Sequence, residues 1–265
     1  ATASLVGDLC DASVVDRAVA DTNCEACIHL GAISFVPAGD ANPGQMFSVN
    51  VLGTINLLEA LRKHARSSRL VVISTAHVYG QSKGRSLIKE DAPMAPSTLY
   101  AVSKIAADLA TLTYARQYGM HMMTARPNNH IGPGQSPKFF VPSFASQIKA
   151  IAAGKAEPVL RVGNLDSTRD IMDVRDVARA YRLLIEKGHA GEAYNIASGN
   201  SMTIREVLER LCDLAGIKPT ITVDPGKYRP TDNSPLLDVT RLRNHTGWKP
   251  EIDISVTLRD ILAEA

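Results

Sequence analysis

"RLVVISTAHVYG", residues 69–80, opens on an uninterrupted apolar run and closes on Ser74, Thr75 and a short stretch ending in glycine. A run that is apolar on both faces suits a strand buried between two layers of helices, as in a parallel sheet. Outward from it the same alternation repeats. "ASLVGDL" (3–9), "ACIHLGA" (26–32), "MHMMTAR" (120–126) and "EAYNIAS" (192–198) read as further strands. Helical patterns fill the gaps at 13–20, 45–64 and 99–118. Strands alternating with helices predict an α/β fold, a doubly wound, Rossmann-like parallel sheet.

After Arg126 the character changes. "PNNHIGPGQSP" is a Gly/Pro loop, followed by a helix at 141–153, the strand "PVLRVGN", helices at 173–188 and 203–216, and a last helix at 255–263. The expected division is a dinucleotide-binding unit of residues 1–132 and 170–198 and a smaller α/β substrate lobe of 133–169 and 199–265. A net charge of +2 with scattered basic residues gives no sign of a nucleic-acid surface, and no nucleic-acid partner is expected. No apolar run approaches the ~20 residues that span a bilayer. The four cysteines include the pair Cys24 and Cys27 in "CEAC", but no second ligand pair stands near it, so a metal site is not expected. Reduced thiols point to the cytoplasm.

The chemistry rests on "TLYAVSK", residues 98–104. Tyr100 and Lys104 stand four apart, on one face of a helix. Alone that spacing is weak, since many solvated helix faces carry a Tyr and a Lys. Thr75 adds to it, because it sits at a strand's carboxyl end, where open α/β sheets bind ligands. A free phenol has a pKa of ~10. An ammonium beside Tyr100 is expected to lower it, making the pair a proton donor and acceptor near neutral pH. Thr75 can donate to a carbonyl oxygen. Such a set suits hydride transfer at a carbonyl carbon, with Tyr100 handling the proton.

"HLGA" (29–32), "NVLGTINLLEA" (50–60), "STAHVYG" (74–80), "YAVSK" (100–104) and "RPNNHIGPGQ" (126–135) occur in the order found in one family. The chain resembles the extended short-chain dehydrogenases/reductases, the NAD-dependent epimerase/dehydratase family, over nearly its whole length. "NHIGPGQSPKFFVPSFASQI", "VGNLDSTRDIMDVRDVARAY", "YRPTD" and the closing "LRNHTGWKPEIDISVTLRDIL" are most similar to its GDP-mannose branch. The resemblance implies Thr75, Tyr100 and Lys104 as catalytic residues and NAD or NADP as cofactor. Asp8, Leu9, Leu30, Gly31, Ala32, Asn50, Ile73, Tyr100, Lys104 and Arg126 would hold that cofactor. Thr75, Asn129, Val141, Arg161, Asn164, Arg169, Arg229 and Asp232 would hold a GDP-sugar, with Arg229 at the phosphates and Asp232 at a ribose hydroxyl. It also implies a homodimer through helices 45–64 and 99–118. Dehydratases of the branch carry an acidic residue in the motif where this chain has Ala76 and His77. Removing water from a sugar needs that extra acid/base, so the implied activity is reduction of a GDP-4-keto-6-deoxy-hexose. A 4-epimerase, a 4,6-dehydratase or a non-catalytic nucleotide-sugar binder are the alternatives.

The family begins with a strand, a Gly-rich turn resembling GxxGxxG and a helix whose N-terminus holds the pyrophosphate. None of this precedes "ASLVGDL", which resembles the third strand. With strands 1 and 2 absent, Leu5 to Leu9 either pairs directly with the strand at 26–32 or is displaced, and cofactor binding by the chain as given is expected to be weak.

Overall fold

The computed structural model describes residues 4–81, 86–228, 230 and 233–264. Four parallel strands form the main sheet in the order β1-β2-β3-β7: β1 (Ala26–His29), β2 (Arg69–Ile73), β3 (Met122–Pro127) and β7 (Ala193–Ile196). Leu70, Val71 and Val72 of β2 are wholly buried, as a run apolar on both faces requires. Over one face lie α1 (Ala12–Thr22), α4 (Gly53–His64) and α5 (Leu99–Tyr118), enclosing a core of Val15, Leu58, Leu61, Leu70 and Met122. Over the other lies α7 (Val174–Lys187), whose Val177, Tyr181 and Leu184 pack with Val71, Met123 and Ala125. Between β1 and α4 run two short helices, α2 (Val36–Ala41) and α3 (Pro43–Phe47).

The smaller lobe is built from β4 (Asn129–Ile131), β6 (Thr168–Asp173) and β8 (Ser201–Thr203) in one sheet, and β5 (Val159–Val162) and β9 (Thr220–Val223) in another. Helices α6 (Phe140–Ala152), α8 (Ile204–Ala215) and α10 (Ile254–Ala263) close around a separate core of Val141, Phe144, Ile148, Leu208 and Leu258. The helix α9 (Thr240–Thr246) returns to the first core, where Leu242 and Trp248 are buried beside α7.

Two expectations are corrected. Residues 4–8 form no strand, and Leu5 and Val6 are exposed. The chain enters instead over the start of α4. Asn56 donates to the Leu9 carbonyl at 2.8 Å, and the Leu9 side chain lies against Gly31 and Gly53. That anchor carries the segment away from the edge of β1, so it is displaced rather than paired. The helix expected at 45–64 is interrupted by a π-helical stretch at Ser48–Leu52. Its Asn50 is fully buried, accepting from the Ile33 N–H at 2.7 Å and donating to Ser103 at 2.9 Å. These bonds tie the extra-wide turn to the loop after β1 and to α5.

Candidate active site

The site forms where β1, β2 and β3 end. Ser74 and Thr75 follow β2, and the Thr75 hydroxyl accepts from the His77 N–H, capping a 3-10 turn at Ala76–Tyr79. Gly80 ends that turn at φ 74°, and a Cβ there would lie 2.2 Å from the Ala95 carbonyl oxygen, so only glycine fits. Thr98 caps α5 by accepting from the Ala101 N–H at 3.1 Å. The cap places Tyr100 in the first turn of α5, Lys104 one turn on and Asp108 one turn further, along one face.

Between these elements and the smaller lobe lies a cavity of about 520 Å³. Leu30, Ala32, Ile73, Thr75, Tyr100, Lys104 and Asn129 line it, as the sequence led us to expect, together with His77. Phe35 from the main-sheet half meets Phe139 from the other half edge to face, with ring centroids 5.8 Å apart, and both line the cavity. A second cavity of about 280 Å³ includes Asp173 and Asp176. Their carboxylates are already taken by Arg175, Thr257, Arg179 and the N–H groups of Glu251 and Ile252.

Burial raises the Tyr100 pKa to about 12, against a smaller opposing effect of its hydrogen bond with Thr75. Burial lowers Lys104 to about 8, opposed by the Asp108 carboxylate. The expectation that Lys104 would hold the phenol below its ordinary value is therefore corrected. Both groups are desolvated, which disfavours phenolate and ammonium alike. Tyr100 stays protonated at neutral pH and is poised as an acid.

The other expected residues separate into groups. Gly31 permits a close approach, because a Cβ there would lie 2.3 Å from Leu9 and 3.3 Å from His29. Asp8 is exposed and accepts from the Cys10 N–H. Asn50 faces Ile33 and Ser103 and is not among the cavity's lining residues. Arg126 is buried, is not among the cavity's lining residues, and donates to both oxygens of Asp108, to Tyr79 and to the Glu90 carbonyl. Its side chain holds α5 to β3. Val141 belongs to the core of the smaller lobe. Arg161, Asn164 and Arg169 lie on β5, the loop after it and β6, outside the lining; Asn164 accepts from the Asp166 N–H and Arg169 donates to the Thr168 carbonyl. Arg229 and Asp232 lie outside the described residues. Residues just after them are placed. Asn233 accepts from the Thr168 N–H at 2.9 Å, and Ser234 donates to the Asn129 side chain at 3.1 Å.

Sequence reasoning missed Ser74, Asn128 and Tyr181. All three line the cavity, and each has a buried side-chain oxygen with no hydrogen-bond partner. A buried polar atom left unpaired is costly, so the cavity suits a polar ligand. Ser74 and Asn128 stand beside chosen residues, at strand ends; Tyr181 falls within the helix expected at 173–188, on the same face as Val177 and Leu184, where an aromatic ring reads as core.

The comparisons agree with this geometry. Residues 3–261 match the family model described as GDP-mannose 4,6 dehydratase. The chain is 40% identical over 242 residues to the GDP-6-deoxy-D-mannose reductase of Pseudomonas aeruginosa, covering 91% of this chain and 80% of that protein. It is 33% identical to the dTDP-glucose 4,6-dehydratase of Neisseria gonorrhoeae, covering 92% and 75%. Among solved structures, RMD from Pseudomonas aeruginosa complexed with NADPH superposes with a TM-score of 0.93 at 36% identity, covering 99% of this chain and 88% of that one. The UDP-glucose 4-epimerase of Thermus thermophilus in complex with NAD gives 0.84 at 28% identity, covering 97% and 82%.

Proposed function

Since the chain belongs to the GDP-mannose 4,6 dehydratase family, we propose that it reduces the 4-keto group of a GDP-4-keto-6-deoxy-hexose, drawing on NADPH or NADH. The observation that carries this reading is the composition of the cavity wall. Tyr100, held protonated by burial, lines it with Thr75, while none of the described lining residues is Asp or Glu. Reduction needs one proton donor at the keto oxygen. Dehydration needs a further acid/base to move a proton from carbon 5 and release the hydroxyl of carbon 6. Ala76 is buried among Val78, Tyr79 and Leu237 and can take no part in that. His130 also lines the cavity, and burial lowers its pKa.

The bound dinucleotide supplies a hydride. This chain's residues do the rest. Thr75 donates to the keto oxygen, orienting the carbonyl and stabilising the charge that grows on it. Tyr100 gives its proton to that oxygen. Lys104, as an ammonium, offers donors to the hydroxyls of the cofactor's ribose. Leu30, Ala32 and Ile73 present apolar surface at the strand ends for the cofactor's reactive ring. The GDP end of the substrate is assigned to Asn129, Arg161, Asn164, Arg169, Arg229 and Asp232. This is supported by Asn233 and Ser234, whose bonds bring the chain beyond Asp232 to β6 and to Asn129.

The division into 1–132 with 170–198 and 133–169 with 199–265 is retained in outline as part of this proposal, supported by two separate cores; β4 and β6 pair with β8 of the smaller lobe, and Leu242 and Trp248 pack in the main-sheet core, so its bounds do not follow the cores at these places. A homodimer through 45–64 and 99–118 is supported by Leu52, Val102 and Leu109, which are exposed there. A cytoplasmic setting fits the four free thiols. Among the described residues no helix is long and apolar enough to cross a membrane. Consumption of NADPH on adding the 4-keto sugar, slowed by about 10² or more in Tyr100→Phe, tests the assignment; consumption unchanged by Tyr100→Phe would refute it.

A further inference from the structure

Away from the cavity, two histidines converge on one buried phenol. Tyr194 of β7 is wholly buried; its hydroxyl accepts from the His189 N–H at 2.8 Å and stands 2.9 Å from His245 Nδ1. The His189 and His245 rings stack, with centroids 3.9 Å apart and planes 24° from parallel. His189 lies between α7 and β7, and His245 lies in α9. One hydroxyl and one ring stack therefore tie α9 to the main sheet.

The protons of this cluster have one satisfied arrangement. A phenol has a single hydrogen to donate and otherwise accepts. The His189 N–H already points at the Tyr194 oxygen, so the Tyr194 hydrogen is satisfied by donating to His245 Nδ1. That assigns a neutral imidazole with its proton on Nε2. A proton added at Nδ1 turns the acceptor into a donor. Two N–H groups then face one oxygen, and the Tyr194 hydrogen is left without an acceptor in a wholly buried site, which is costly. Burial and the stacked His189 lower the His245 pKa, opposed by Glu192, supported by Arg241 and opposed again by Glu90. Arg241 of α9 is itself bonded to Glu192 and lies 3.7 Å from Glu90. The helix α7, also packed on α9, carries Lys187 and the Arg182–Glu186 pair in its last turns.

Residues 233–239 run from the cavity to α9. Asn233 accepts from the Thr168 N–H, Ser234 donates to Asn129, the Pro235 carbonyl accepts from Asn128, and Leu237 is buried with Ala76, Val78 and Tyr79. The far end of this segment is held by α9. We infer that Tyr194, His245 and His189 form a proton-released clasp: neutral, it docks α9 on β7; protonated, it lets α9 and the 233–239 segment before it loosen. The clasp stands apart from the catalytic residues and is independent of which sugar nucleotide the cavity takes.

Undocked, His245 takes its proton at about pH 6.5. Its docked pKa is lower, so the undocked form binds more protons between the two values, and docking weakens as pH falls through about 6.5. One proton predicts about a tenfold loss of protection between pH 7.5 and 5. The test is hydrogen exchange of the native protein at these two pH values, read by mass spectrometry on the peptide 233–247 and corrected for the chemical exchange rate. His245→Asn keeps an acceptor toward Tyr194 and cannot be protonated, so its loss should be about tenfold smaller than that of the unsubstituted protein. Tyr194→Phe removes the shared hydroxyl and keeps the ring; it should cut the loss at least about threefold, and it decides the question if His245→Asn does not fold. At pH 5 the β2 amides of the unsubstituted protein should stay better protected than 233–247. An equal loss in the unsubstituted protein and the folded variant, or equal protection of β2 and 233–247 at pH 5, would overturn the inference.

Discussion

Raising the pH through the Lys104 pKa should push activity and stability in opposite directions. Lys104 is 5% exposed, and burial drops its pKa from 10.5 to about 8. The unfolded chain, with the ordinary value, holds the proton up to about pH 10.5. Between pH 8 and 10.5 the unfolded state therefore binds more protons than the folded one, and stability rises with pH. Below pH 8 the fold carries the full cost of a desolvated ammonium, about 3 kcal/mol. At pH 9.5 the linkage leaves about 1.4 kcal/mol, so about 2 kcal/mol is regained. Catalytic efficiency follows the charged form and should fall about tenfold per unit above pH 8. Tyr100, at about 12, remains an acid throughout this range. The assay is urea unfolding of the native protein and of Lys104→Met at pH 7 and 9.5, beside the pH profile of NADPH-dependent turnover. The difference in stability between the two proteins should narrow by about 2 kcal/mol as pH rises. A constant or widening difference would refute the argument that the ammonium is held against its desolvation cost.

Three further outcomes are expected. Tyr100→Phe should lower turnover by about 10² or more while leaving the NADPH dissociation constant unchanged, which stopped-flow kinetics and fluorescence titration would separate. His29 is buried, its Nε2 bonded to Thr54 at 3.0 Å, and burial and Lys104 push its pKa down to about 4; since the unfolded imidazole takes its proton near pH 6.5, stability should fall by about 3 kcal/mol between pH 6.5 and 4, and His29→Gln should flatten that part of the curve in denaturant titrations. Arg126→Ala strands the buried Asp108 carboxylate and should cost about 3–5 kcal/mol, whereas Arg126→Met with Asp108→Leu should recover much of the loss, as measured by unfolding midpoints.

Elements with a strong local pattern were legible in the sequence. β2, β3 and β7 are buried on both faces and mostly apolar, and α5 has its Thr98 cap and its Gly119 stop. The placing of Thr75, Tyr100 and Lys104 in one cavity followed from strand-end and helix-face geometry. What was not legible depended on partners distant in sequence. The segment at 4–8 has a strand's composition, but its course is set by the Asn56 bond to Leu9. Arg126 sits at the end of β3 like a ligand-binding residue, yet Asp108, Tyr79 and Glu90 occupy all of its donor directions toward the core. The direction of the Tyr100 shift was misjudged because spacing reveals a neighbouring charge but not burial. Tyr181 was hidden by its periodicity, which is the same for a core tyrosine as for one whose hydroxyl reaches a cavity.

Product analysis tests the central claim most directly. The protein is incubated in parallel with GDP-mannose plus NADP and with GDP-4-keto-6-deoxy-mannose plus NADPH, and the nucleotide sugars are resolved by mass spectrometry. Reduction predicts that the keto sugar gains the mass of two hydrogens as NADPH is consumed, while GDP-mannose is left intact. Loss of the mass of water from GDP-mannose, with the keto sugar unreduced, would contradict the account and show that the cavity completes a dehydration without a carboxylate in its wall.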